Sequence, residues 1–141
     1  MFEDSNNLKD VGRNISTSYG AGHSDLSVTI DISYTKTNKL ITALFMVTDI
    51  MDKDEPLRNK LRTLGSEIIS DTHLIQSGHI GHVASLVEKI SEIMSFLDIA
   101  SAVNIISQMN TNILKKEFTE LDRSAKESIN KNEIKKSHIN I

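Results

Sequence analysis

At 141 residues the chain holds one domain's worth of sequence, and its 38% hydrophobic content supports a modest core while arguing against an integral membrane protein. A net charge of −3 gives no general electrostatic footprint for nucleic acid, so direct nucleic-acid binding is not expected. The absence of cysteine excludes disulfides, thiolate metal sites and cysteine nucleophiles, and a single proline suits a helical chain with little turn chemistry.

The first residues, MFEDSNNLKD, have no apolar run after a basic start. No signal peptide is expected, and the cytoplasm is the default location. Residues 1–25 are rich in Asn, Ser, Asp and Gly without period, which predicts disorder. Leu26, Val28, Ile30, Ile32 and Tyr34 then alternate with polar residues in a strand pattern. An unpaired strand is a liability in a helical chain, so this stretch reads as an extended segment lying on the rest of the molecule. Pairing with its copy in a second subunit is the alternative. Residues 1–35 together form a disordered or extended N-terminal segment.

From Lys36 to Asp52 the sequence predicts a first helix. Leu40, Ile41, Ala43, Leu44, Phe45, Met46, Val47, Ile50 and Met51 cover well over half its circumference, and Thr42, Asp49 and Asp52 form a polar strip. A surface helix needs an apolar stripe only about 100° wide, so this one is expected at the centre, covered on two or three sides. The turn Asp52-Lys53-Asp54-Glu55-Pro56 ends it. Asp54 is the expected N-cap of the next helix, with Glu55 favourable at the dipole and Pro56 tolerated in the first turn.

The second helix carries Leu57, Leu61, Leu64, Ile68 and Ile75 in a narrow seam, with Arg58, Asn59, Lys60, Arg62, Ser66, Glu67 and Ser70 facing away. It ends near Ser77-Gly78. A third helix runs from about Ile80 to Phe96 on Val83, Leu86, Val87, Ile90, Ile93, Met94 and Leu97. Asp98 then caps a fourth helix, which continues to about Lys126 on Ile99, Ala102, Val103, Ile106, Met109, Ile113, Leu114 and Leu121. One long helix with a bend at Leu97-Asp98 is the alternative to that break. Residues 128–141 read as a polar tail. The expected fold is all-α: an antiparallel four-helix bundle over residues 36–127 with flexible N- and C-terminal tails.

Candidate chemistry is sparse. His73, His79 and His82 lie close in sequence beside Asp71, and imidazole with carboxylate suits zinc, iron or nickel. The set lacks the H-E-x-x-H or E-x-x-H spacing of specific sites, so solvated or capping histidines are the ordinary reading and no metal or other cofactor is expected. Asp49, Asp52, Asp54 and Glu55 fail the EF-hand pattern, having neither its loop glycine nor its closing glutamate. All-helical nucleotide pyrophosphohydrolases also place carboxylates on adjacent helices, but Glu67 and Asp71 are spaced E-x-x-x-D rather than E-x-x-D. Asn110 and Glu117, in or beside the fourth stripe, either sit in a seam that fixes register or lie at its edge. No serine sits in a G-x-S-x-G turn, and the basic C-terminal residues are interleaved with acids.

The runs LITALFMVTDIMDKDEPLRNKLRTLG and IMSFLDIASAVNIISQMNTNILKKEF resemble uncharacterised bacterial helical proteins. In some of these a similar region precedes a winged-helix DNA-binding segment. The resemblance covers about residues 36–127, and the chain stops at Ile141 in linker-like sequence. It implies the interaction part of a transcriptional regulator without its DNA reader. A non-enzymatic interaction or oligomerisation module is therefore expected. A metal- or small-ligand-binding bundle and a carboxylate-based phosphohydrolase are the alternatives. The wide apolar arc of helix one predicts a homodimer through Phe45, Met46 and Ile50, with a protein partner possible and no membrane.

Overall fold

The computed structural model describes the backbone of residues 32–139 and the side chains of residues 32–130. Residues 1–25, and 26–31 of the alternating stretch, lie outside it. Among the described residues four helices follow one another: α1 (Tyr34–Thr48), α2 (Pro56–Gln76), α3 (His82–Ala102) and α4 (Gln108–Ile139). Contacts run from α1 to α2, α2 to α3, α3 to α4 and back from α4 to α1, which closes a four-helix bundle. The contacts between α1 and α2 are those of an antiparallel pair. Along α1 and α2, Phe45 meets Arg62, Tyr34 meets His73 and Ile32 meets Gln76, so one number rises as the other falls.

Local chemistry sets each boundary. Ser33 caps α1, its hydroxyl accepting the Lys36 N–H at 3.2 Å. Glu55, and not Asp54, caps α2: its carboxylate accepts the Leu57 N–H, and Pro56 occupies the first turn. At the end of α2, Gly78 takes φ 100°, the His79 N–H reaches the Leu74 carbonyl and the Gly78 N–H reaches Ile75. This is the Schellman stop.

The same device ends α3 six residues later than the sequence predicts. Asn104 stands at φ 62°, its N–H bonds the Ser101 carbonyl, and the Ile105 N–H bonds Ala100. The break therefore falls at residues 103–107 rather than at Leu97-Asp98. Leu97 is fully buried in α3, and Asp98 caps nothing. Asn is the residue other than glycine that most readily accepts the left-handed conformation.

Moving the break rotates the fourth stripe. The buried face of α4 is Thr111, Leu114, Phe118, Leu121, Ala125 and Ser128, whereas Met109 and Ile113 are exposed, as are Ile99 of α3 and Val103 at its C-cap. Glu117 is exposed and Asn110 half-buried, both at the edge of the stripe. The helix does not stop near Lys126: Ser128 is buried, Ile129 packs on the core, and the backbone stays helical to Ile139, through most of the expected tail.

The core is the inward face of all four helices. Leu44, Leu61, Ile68, Ile75, Leu86, Ile90, Ile93, Leu97 and Phe118 are fully enclosed. Gly65 lets α1 approach closely, since a Cβ there would meet Leu44 Cδ2 at 3.1 Å and Ile41 Cγ2 at 3.3 Å. α1 is not central. Its Thr37, Leu40, Ile41, Leu44 and Thr48 face inward, Met46 lies open on the opposite side, and Ile50 is exposed in the turn that follows. It ends at Thr48 rather than Asp52, and Met51 folds back into the core from the turn.

Candidate functional site

Three arrangements stand out from the plain packing. The first is polar and internal. The α2 seam expected at Leu64, Ile68 and Ile75 leaves a gap, and Asp71 and Thr72 fill it, both buried. The Asp71 carboxylate accepts from Ser85 Oγ at 3.1 Å and Lys89 Nζ at 2.9 Å, and lies 3.1 Å from His82 Nδ1. All three partners are on α3, one turn apart, so a helical face presents them together. A buried carboxylate must be paired and hydrogen-bonded, and this one is. The arrangement ties α2 to α3 and leaves no free carboxylate oxygen for chemistry.

The second is at the end of α1. Arg62, expected to face away, lies over the Phe45 ring at 4.8 Å from its centre. Its Nη2 donates to the Phe45 carbonyl at 3.0 Å and its Nε to Thr48 Oγ1 at 3.0 Å, with Asp49 3.5 Å away. A guanidinium suits this place because it stacks on a ring and satisfies carbonyls that the helix end leaves open. Phe45 is thereby engaged within the chain.

The third lies on α1 and α4, adjacent helices not joined by a turn. At its lower end is a cavity of about 250 Å³ lined by Ile32, Lys36, Leu40, Glu117, Leu121 and Ser124 among others. Arg123 borders it and bonds Glu120 and Glu127; its hydrogen bond to Glu120 holds that carboxyl below the usual value. Toward the other end the groove turns apolar. On α1, Ala43 and Val47 continue the side that carries Lys36 and Leu40, at steps of three and four, and Ile50 follows in the turn after the helix. On α4, Ile113 and Met109 lie one and two turns before Glu117 on the same side. Met46, Ile50 and Met109 are each 70% exposed and Ile113 is 56% exposed.

The three histidines do not converge. His73 packs edge-on against Tyr34 with ring centres 4.6 Å apart, His79 Nδ1 lies 3.3 Å from the Leu74 carbonyl, and His82 turns to Asp71. Among the described residues no group of three or more His, Asp or Glu is arranged to hold a metal ion. The carboxylates are likewise dispersed: Asp49 faces Arg62 and Arg58, Glu55 caps α2, and Glu67 lies 3.9 Å from Lys89. No described helix is long and apolar enough to cross a membrane. Compared with protein-family models, curated proteins and solved structures, the chain matches none.

The Asp71 arrangement was legible only as an absence. The seam skips from Ile68 to Ile75, and the polar pair in the gap, with Ser85 and Lys89 four apart downstream, was the available signal. The exposed pair on α4 had no such signal, because its orientation depends on where α3 stops.

Proposed function

We propose that this chain is a non-enzymatic helical interaction module that acts as a cytoplasmic homodimer and serves as the partner-binding part of a transcriptional regulator. One observation carries the reading. Four large apolar side chains lie exposed: Met46 on α1, Ile50 in the turn after it, and Met109 and Ile113 at the start of the adjacent helix α4. Single exposed apolar residues are ordinary, whereas a contiguous group marks an interface, and a two-fold dimer needs only one self-complementary patch. Phe45 belongs behind this surface rather than on it, since Arg62 covers its ring. The pairing of the buried carboxylate Asp71 and the separation of the histidines favour this reading over a hydrolase or a metal protein. The regulatory role rests on the resemblance to bacterial helical proteins that carry a winged-helix segment.

Analytical ultracentrifugation tests the proposal. The wild-type chain sediments as a dimer at micromolar concentration, and Met46→Lys, which places like charges across the two-fold, sediments as a folded monomer. A wild-type monomer with intact helicity would remove the main support.

A further inference from the structure

The chain holds five methionines and no cysteine, so the thioether is its only sulfur chemistry. The structure sorts the four methionines among the described residues. Met51 is 6% exposed and Met94 packs half-buried against the core, whereas Met46 and Met109 are each 70% exposed. The two open ones stand on α1 and in the first turn of α4, on the surface that also carries Ile50 and Ile113. Two of its four exposed apolar side chains are therefore oxidisable, and the methionines that the core uses are shielded. Methionine is unbranched and polarizable, which suits an adaptable apolar contact, and its sulfoxide is polar.

We propose that Met46 and Met109 make this surface a peroxide-sensitive switch, in which their oxidation to methionine sulfoxide separates the two copies without unfolding the bundle. The inference rests on the dimer proposed above and names what regulates it. In the step, a sulfur lone pair attacks one oxygen of hydrogen peroxide. The S–O bond forms as the O–O bond breaks, the sulfur loses two electrons, and the peroxide is reduced with release of one water. The product places a hydrogen-bond acceptor where the contact was apolar. An acceptor buried without a donor opposes association. The two-fold repeats each methionine, so a dimer carries two such groups from each chain. In the separate chain both thioethers are open to solvent, and in the dimer each copy shields the other's. Oxidation therefore captures chains as they dissociate, and the sulfoxides keep them apart. Burial protects Met51 and Met94, so the four helices stay packed.

Sedimentation of the full-length chain before and after hydrogen peroxide, with peptide mass mapping and circular dichroism, tests the switch. The untreated chain sediments as a dimer. Peroxide is expected to add one oxygen at Met46 and one at Met109 well before Met51 or Met94, to weaken the dimer about a hundredfold, and to leave helicity intact. Diluting the chain until it dissociates should speed oxidation of Met46 and Met109 and leave the rate at Met51 unchanged. Methionine sulfoxide reductases, one for each sulfoxide epimer, should restore the dimer, and this arm needs no substitution. The double variant Met46→Leu, Met109→Leu keeps the apolar surface without its sulfur and should stay dimeric in peroxide. A dimer that persists with both positions oxidised would overturn the proposal. So would equal dissociation of the leucine variant, or loss of helicity together with the dimer. An untreated chain that is monomeric removes the dimer and the switch together, whereas a dimer indifferent to oxidation removes the switch alone.

Discussion

Asp71 is held by three donors from one face of α3, and the cost of losing it follows from what remains. Asp71→Ala would leave Lys89 and Ser85 without their acceptor and a gap in the seam between Ile68 and Ile75. Removing one partner of a buried ion pair costs about 3–5 kcal/mol; Lys89 is 22% exposed and can turn to water, so about 2–3 kcal/mol is expected by urea unfolding. Arg62→Ala should also destabilise, by about 1–2 kcal/mol, since it uncovers the Phe45 ring and the carbonyl at the end of α1. The helical period placed Arg62 on the outer face and could not show that its long side chain reaches back over α1. Neither residue was legible as a structural element, for the same reason: their partners are 11 to 18 positions away, and only tertiary packing brings them together.

At the scale of elements, the periodic positions of α2 and α3 were readable, because each seam faces one core and its spacing alone identifies it. Leu61→Ala and Leu64→Ala should each cost about 2–5 kcal/mol, as both leucines are enclosed. The end of α3 was misread because aspartate and serine after Leu97 resemble a cap, whereas the actual stop is a left-handed asparagine seven residues on. Substitutions at Val103 and Asn104 separate these alternatives. Leu97→Ala should be as damaging as Leu61→Ala, and Val103→Ala should change thermal stability little, since Val103 is exposed. Asn104→Gly should stabilise or be neutral, because glycine carries no Cβ penalty at positive φ, while Asn104→Val should cost about 1–2 kcal/mol. A break at Leu97-Asp98 would leave residue 104 in mid-helix, and glycine there would destabilise instead.

For the whole molecule, the four-helix architecture followed from apolar periodicity, but the covering of α1 did not. Its apolar arc was wide in the sequence, and the bundle uses only part of it: α2 and α4 take Leu40, Ile41 and Leu44, while Met46 and Ile50 stay outside. If copies pair there, folding and association are linked, and the thermal midpoint depends on protein concentration. The midpoint of the wild-type chain is expected to rise by several degrees over a hundredfold increase in concentration, as mass action favours the dimer. Ile113→Lys, on the α4 side of the same surface, should abolish that dependence as Met46→Lys does, although the two residues are far apart in sequence. Scanning calorimetry across the concentration series measures both. Loss of the dependence in Met46→Lys but not in Ile113→Lys would confine the contact to α1 and exclude the shared α1–α4 surface. A midpoint independent of concentration in the wild type would mean that the surface does not join two copies, and its occupant would then have to be a different protein.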